Sequence, residues 1–290
     1  MSRLHSRSLQ DVSQRSRPRT ILRDLVVCAL VYQPLPVKQW LHRYFRQVIL
    51  GVLFRLEREA IVLAFAGPPG HRFPMYLDWQ GHTAYVLGLY EPQVTQALKR
   101  YLRAGARCMD VGAHLGYTTI LMAHLVGPRG SLVAFEPFPK TFRLLEENVR
   151  LNELTNIRLE PLAASDQDGS VSLVFEANQQ LASTPSVSGY AVEQEKGNIE
   201  VRCVSLDSYV ARTGWTPELV KIDVEGAELA VLRGATHTIR NARPIFIVEV
   251  HGWGTPESIE VIRFLQEARY VVSTLGIRDR EAFCLALPGP

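Results

Sequence analysis

The run Cys108-Met109-Asp110-Val111-Gly112-Ala113-His114-Leu115-Gly116-Tyr117-Thr118-Thr119 constrains this chain more than any other segment. It reads as a short apolar strand, a glycine turn and the start of a helix. A second apolar strand, Leu132-Val133-Ala134-Phe135, ends in Glu136, which lies 20 positions beyond Gly116. Glycine lets backbone approach a ligand, and an acid after the next strand can accept hydrogen bonds from ribose hydroxyls. The pair predicts an enzyme that uses a nucleoside-bearing cofactor.

The turn narrows the cofactor. Its spacing is Gly112-x-x-x-Gly116, with His114 and Leu115 where a dinucleotide fingerprint would need GxGxxG, and the chain has no GK[ST] phosphate loop. A pyrophosphate would favour more glycine and no acid at Asp110. S-adenosylmethionine has no phosphate and carries a sulfonium and an ammonium, so an acid-bearing turn suits it better. An NAD-dependent oxidoreductase is disfavoured on the same ground.

Strand-like runs near 107–111, 131–135, 156–160, 218–222 and 244–250 alternate with helical patterns near 117–126, 138–152, 226–240 and 256–268. A further helix is expected over Glu91–Leu102. This alternation predicts an α/β fold with a mostly parallel sheet and helices on both faces. Ser170–Phe175 and Ile199–Val204 add two strand-like runs around a polar stretch at 177–198. That stretch suits either a solvated connection or a substrate-facing lid.

Residues 1–20 form a basic tail, with Arg3, Arg7, Arg15, Arg17 and Arg19 against Asp11, and are expected to be disordered. Residues 21–83 are expected to form a helical and hairpin extension. Within it Trp40, Leu41, Tyr44, Phe45, Val48, Ile49, Val52 and Leu53 recur at helical spacing. This face suits packing on the main domain, a homodimer contact or peripheral membrane contact. Residues 60–66 and 73–79 read as a hairpin around Gly67-Pro68-Pro69-Gly70. The catalytic domain is expected over 84–290.

Two strand ends carry further chemistry. Leu219-Val220-Lys221-Ile222 runs into Asp223, Glu225 and Glu228, and Ile245–Val250 ends in Glu249 and His251. Ligands of open parallel sheets bind at the carboxyl ends of strands, where Asp223 would meet the glycine turn and Glu136. Asp223 and Glu225 suit the sulfonium, substrate hydroxyls or a divalent ion. Glu228 suits the N-terminus of the next helix. His251 suits proton removal from a hydroxyl, or a structural hydrogen bond.

Composition excludes little. The hydrophobic share is 47%, the charged share 21% and the net charge +3, as in an ordinary globular protein. No basic–aromatic stripe points to a nucleic-acid partner. Leu25–Tyr32 is far shorter than the roughly 20 apolar residues of a membrane span. The cysteines (Cys28, Cys108, Cys203 and Cys284) have no metal-binding spacing. A reducing, cytoplasmic setting is expected.

Taken together, DVGAHLGYTT, FEPFPKTFRLLEENVRLN, LAASDQDGSVSLVF, VSLDSYV, LVKIDVEGAELAVLRGA and IFIVEVH resemble the FkbM-type methyltransferase family over roughly residues 84–252. Gly88-Leu89-Tyr90-Glu91-Pro92 looks like the start of that family's domain. The resemblance implies a class I methyltransferase (Rossmann-like) fold, with a mostly parallel seven-stranded sheet and one antiparallel strand, that binds S-adenosyl-L-methionine. It implies that Asp110, Gly112, Ala113, His114 and Gly116 line the methionine part, with Tyr117 also counted at the cofactor. Glu136 would bind ribose, Ala163 and Ala164 would lie near adenine, and Asp223 would close the site near the methyl group.

The expected reaction is O-methylation of a hydroxyl on a sugar, glycolipid or natural product, with Asp223, Glu225 or His251 orienting or deprotonating the acceptor. No metal is assigned; a variant with Mg2+ on acids such as Asp223 and Glu249 stands beside the metal-free reading. The alternatives are a non-catalytic cofactor-binding scaffold protein and a nucleic-acid methyltransferase.

Overall fold

The computed structural model describes residues 36–37, 61–68, 70–78, 82–175 and 197–290. The expected basic tail, the apolar face from Trp40 to Leu53, and most of the polar stretch at 177–198 lie outside the described residues.

From residue 61 the described residues begin with the expected hairpin, β1 (Ile61–Ala66) paired antiparallel with β2 (Phe73–Asp78). Helices α1 (Thr83–Leu87) and α2 (Pro92–Tyr101) follow. The alternating part contains β3 (Arg107–Val111), α3 (Tyr117–Val126), β4 (Ser131–Phe135), α4 (Pro139–Leu151) and β5 (Ile157–Glu160). Then come β6 (Ala163–Ser165), β7 (Gly169–Phe175), β8 (Gly197–Ser205), α5 (Leu206–Thr213) and β9 (Leu219–Ile222). The chain ends with α6 (Glu228–Arg233), α7 (Thr236–Asn241), β10 (Ile245–His251), α8 (Pro256–Glu267), β11 (Tyr270–Arg278) and β12 (Glu281–Pro288).

Seven strands form the main sheet in the order β11-β12-β10-β9-β3-β4-β5. The pairs β3–β4, β4–β5, β3–β9 and β9–β10 are parallel, and β12 runs antiparallel to both its neighbours. This is the mostly parallel sheet with one antiparallel strand that the resemblance implies. The two extra strand-like runs do not join it. As β7 and β8 they form a separate sheet in the order β6-β8-β7.

Both faces of the main sheet are covered, which explains why its strands read as nearly unbroken apolar runs. Successive side chains alternate between the faces. Cys108, Ala134, Leu219 and Ile247 pack with Leu98, Ile120 and Leu145 of α2, α3 and α4. Met109, Val111, Val220, Ile222 and Val248 pack with Val231, Ile239 and Leu265 of α6, α7 and α8.

The single helix expected over 226–240 is two. Asp207 of α5 explains the break: its carboxylate accepts from the backbone of His237 and Thr238, both at 2.7 Å, and so begins a new helix. Gly234 lies where β6 passes closely, since a Cβ there would sit 2.0 Å from the Ser165 carbonyl oxygen. A periodicity argument sees neither contact.

One buried side chain ties the hairpin to the glycine turn. Asn148 of α4 accepts from Tyr76 N at 2.6 Å and donates to Leu115 O at 2.9 Å and Tyr76 O at 3.1 Å. Phe73, Met75 and Leu77 of β2 therefore complete the same core as α3 and α4. Asn148→Ala strands three buried polar groups and is expected to lower unfolding free energy by about 2 kcal/mol or more, read from the urea midpoint. An unchanged midpoint would show that this link does not hold the turn.

Candidate functional site

The site grows from polar residues on an otherwise apolar sheet face. Asp110 on β3 and Lys221 on β9 are register partners, on the face that carries Cys108 and Leu219. Lys221 is 3% exposed. Its Nζ lies 2.9 Å from Asp223 Oδ2 and 3.7 Å from Asp110 Oδ1, so one ammonium bridges two strand ends. Thr119 of α3 donates to Asp110 Oδ2 at 2.6 Å.

Burial alone would push the Lys221 amine down; Asp223 first, then Asp110 and Glu91, outweigh it and hold the ammonium firmly charged. Burial would raise Asp223, but Lys221 keeps it below the usual carboxylate range. Asp110, fully enclosed, ends above that range because burial exceeds the help from Lys221 and Thr119. Asp110 was expected to face the methionine part of a cofactor. Its carboxylate contacts Lys221 and Thr119.

The glycines of the turn are required by packing. Gly112 has φ 86° and a Cβ there would sit 1.7 Å from Asp223 O; Gly116 has φ 92° and its Cβ would meet Leu145 at 2.6 Å. Their small size brings the turn against the end of β9 and onto α4. Gly112 N and Ala113 N both donate to Phe135 O, which fastens the turn to β4.

Glu136 follows β4 and faces the turn. Its Oε2 accepts from His114 N and its Oε1 from Phe138 N, both at 2.9 Å. Burial raises its carboxyl to about 7 against those two bonds. His114 has φ 50° and is reached by solvent, yet the protein around it, then His82, lowers its imidazole to about 4. The Tyr117 side chain, 3% exposed, belongs to an aromatic cluster with Phe73, Tyr85 and Tyr90. Ala163 and Ala164 lie on β6, just past the end of β5, paired with Cys203 and Val204.

A histidine–carboxylate pair closes the other side. His251 Nδ1 is 2.8 Å from Glu228 Oε1, an oxygen that also accepts from Gly226 N at 2.8 Å. Glu228 is thus a holder of His251, a role its position at a helix start does not reveal. His251 Nε2 faces Glu225 at 3.4 Å and Asp223 at 3.9 Å. Burial would lower this imidazole, but Glu228, then Glu225 and Asp223, raise it to about 9. It therefore carries a proton at neutral pH, which runs against the expected role as a base in the free protein. Glu225, mostly exposed at φ 54°, stands at the rim.

Sequence reasoning gave no role to Lys221, Glu91 or Arg278, though it named Glu249 as a possible Mg2+ ligand. Lys221 was legible as a charge inside an apolar run. Glu91 and Glu249 are buried, and Arg278 lies 3.2 Å from Glu249 Oε1 and 4.0 Å from Glu91 Oε1. Among the described residues, three groups of ligand atoms lie within 4.8 Å of one another: Asp223 with Glu225 and His251, Glu249 with His251 and Glu281, and Glu91 with Asp223 and Glu249.

The Methyltransferase FkbM domain matches residues 110–272, more than half of the chain, from β3 to the start of β11. The chain belongs to this FkbM methyltransferase family. Hexuronic acid methyltransferase AglP of Haloferax volcanii is 30% identical over 178 residues, covering 61% of this chain and 68% of AglP. The transmembrane O-methyltransferase of Macaca mulatta is 30% identical over 173 residues, 53% of this chain, and the match spans 58% of that protein's length. The crystal structure of methyltransferase FkbM from Methylobacillus flagellatus aligns with a TM-score of 0.47 at 16% identity, covering 70% of this chain and 52% of that one. Among the described residues, no helix is long and apolar enough to cross a membrane.

Two measurements test this geometry. Lys221→Met leaves buried carboxylates uncompensated and is expected to cost about 3–5 kcal/mol of stability, read by denaturant unfolding. The His251 ring resonances should titrate near 9, with Glu228→Gln moving the midpoint down. Because the folded value lies above the unfolded one, the stability from this pair is full below about 6.5 and is lost as pH rises through about 9. A wild-type midpoint at the ordinary histidine value would mean that the pair does not form.

Proposed function

We propose that this protein is an S-adenosylmethionine-dependent O-methyltransferase acting on a hydroxyl of a sugar, glycolipid or natural product. The observation that carries the reading is a convergence. Asp110, Glu136 and Asp223 stand at the carboxyl ends of β3, β4 and β9, three adjacent strands, in a chain of the FkbM family. In open sheets this crevice is where nucleoside ligands bind. AglP, named for hexuronic acid, and the relatives named as O-methyltransferases support a hydroxyl acceptor and favour a glycan.

The donor set fits such a cofactor. Glu136 uses one lone pair of each oxygen on backbone and keeps others free for two ribose hydroxyls. Gly112, Ala113, His114 and Gly116 form the adjoining wall, and Ala163 and Ala164 border it beyond β5. Asp223, held ionised by Lys221, presents negative charge toward a cationic centre; Asp110 acts through Lys221 and Thr119. When bound, S-adenosylmethionine supplies an electrophilic methyl group.

The chain contributes alignment and exclusion of water. Asp223, Glu225 and the His251–Glu228 pair line the side from which an acceptor would approach. His251 Nδ1–H is committed to Glu228, so Nε2 is the atom that would hold an acceptor oxygen or exchange a proton with it.

The testing experiment is calorimetric titration with S-adenosylhomocysteine, with NAD as control, followed by transfer of labelled methyl to a panel of hexuronic acid glycosides and other hydroxylated acceptors. Saturable binding of S-adenosylhomocysteine alone is expected. A folded protein that binds neither would sink the reading, and binding without turnover over the panel would favour a scaffold role. Because Glu136 must be ionised to accept both hydroxyls, affinity should fall as pH drops below about 7. Glu136→Gln should flatten that dependence and weaken binding at least ~10-fold.

A further inference from the structure

We propose that Glu91, Asp223 and Glu249 form a binding site for a hard divalent cation of the Mg2+, Mn2+ or Ca2+ class. The inference starts from Glu91. This residue precedes α2 in a left-handed conformation, φ 39° and ψ 61°, which a non-glycine residue adopts at a cost. It occupies the cap position of the helix but makes no capping hydrogen bond. It is 3% exposed, and neither carboxylate oxygen accepts a well-formed hydrogen bond. A strained, buried carboxylate with two unused acceptors calls for a ligand.

The neighbours indicate which ligand. One oxygen each of Glu91, Asp223 and Glu249 lies within 4.8 Å of the others, a spread that a single ion can bridge. All three donors are carboxylate oxygens, with no sulfur or imidazole among them, and such a set prefers hard cations. Lys221 and Arg278 already touch the cluster but do not fill it. Lys221 Nζ contacts Asp223 Oδ2 at 2.9 Å, Arg278 contacts Glu249 Oε1 at 3.2 Å, and Glu91 has Arg278 at 4.0 Å and the adjacent Tyr90 hydroxyl. A carboxylate has about four lone-pair sites, so these contacts leave donor capacity on every member.

Charge counting gives an independent reason. Glu91, Asp110, Asp223 and Glu249 are enclosed with Lys221, and half-exposed Arg278 touches Glu249 and Glu91 but pairs most closely with Glu281 at 2.6 Å, while Glu228 is matched by His251. Fully ionised, the four acids exceed the two bases by two charges. A divalent cation at Glu91, Asp223 and Glu249 would offset that excess. Of the three proposed ligands Asp223 reaches solvent most, at 17% side-chain exposure. A cation here would also draw an acceptor oxygen and ease loss of its proton. The site extends the proposed reaction but does not depend on it, since ion binding is read without turnover.

The test is a titration of the full-length protein with MnCl2, followed by loss of the free-ion paramagnetic resonance signal, then displacement with MgCl2. One equivalent of saturable Mn2+ binding is expected, with or without S-adenosylhomocysteine. Glu91→Gln and Glu249→Gln should each weaken it at least ~10-fold, with folding checked by circular dichroism. No saturable binding by folded wild-type protein overturns the proposal, as does wild-type affinity in both variants. Loss of binding in Glu225→Gln but not Glu91→Gln would place the ion at Asp223, Glu225 and His251 and overturn this assignment. S-adenosylhomocysteine binding without Mn2+ binding defeats the cation site alone. Mn2+ binding without S-adenosylhomocysteine binding defeats only the methyltransferase reading.

Discussion

Lys221 is held among carboxylates that could not themselves stay buried without it. An ammonium enclosed by protein loses its hydration, and so does each acid beside it; the set is tolerable only when the charges are in contact. Asp110 comes from β3, and Lys221 and Asp223 from β9 and its end. Those strands are far apart in the chain and meet because the sheet order turns back at β3, with β4 on one side and β9 on the other. The same reversal opens a crevice between the connections that leave β3 and β9. The ion cluster and the crevice therefore have one topological cause.

The backbone around this cluster is not relaxed. Glu91, His114 and Glu225 all have positive φ, and Gly112 and Gly116 take values near 90°. Such conformations persist where surrounding structure over-determines them. Here the surroundings are the two apolar layers on the sheet, the Phe135 carbonyl that anchors the turn, and the Asn148 amide that ties Leu115 to β2. The apolar core supplies the stability that lets a charged, strained rim exist at its edge.

The frame of the fold was legible because it depends on local pattern. The strand around Asp110, the helix from Tyr117 to Val126 and the strand ending at Phe135 follow from apolar runs and glycine punctuation. The split at Gly234 was not legible, since it depends on Asp207 reaching over from another helix. Asp223, Glu136 and His251 could be named because acids and histidines at strand ends are conspicuous. Their partners could not: Lys221 reads as a stray charge in a strand, and Glu228 as a helix-start acid. Arg278 and Glu91 are 187 positions apart in sequence, though 4.0 Å in space. Spacing arguments reach neighbours along the chain, while ion pairs between distant strands need coordinates.

That distinction decides how proton removal should be viewed. Of the three residues that the sequence singles out for it, Asp223 is tied to Lys221 and is a weak base, Glu225 sits at the solvent rim, and His251 is already charged. None is poised near neutrality with a free acceptor facing the crevice. A hydroxyl attacking a sulfonium methyl has little need of a strong base at the outset, because its acidity rises only as the new bond forms. Fixed alignment of the two reactants can supply most of the rate in that case. A rigid turn, an ionised Asp223 and a ring locked by Glu228 are suited to that work. The His251–Glu228 pair then serves best as a fixed, charged hydrogen-bonding wall rather than as a proton acceptor.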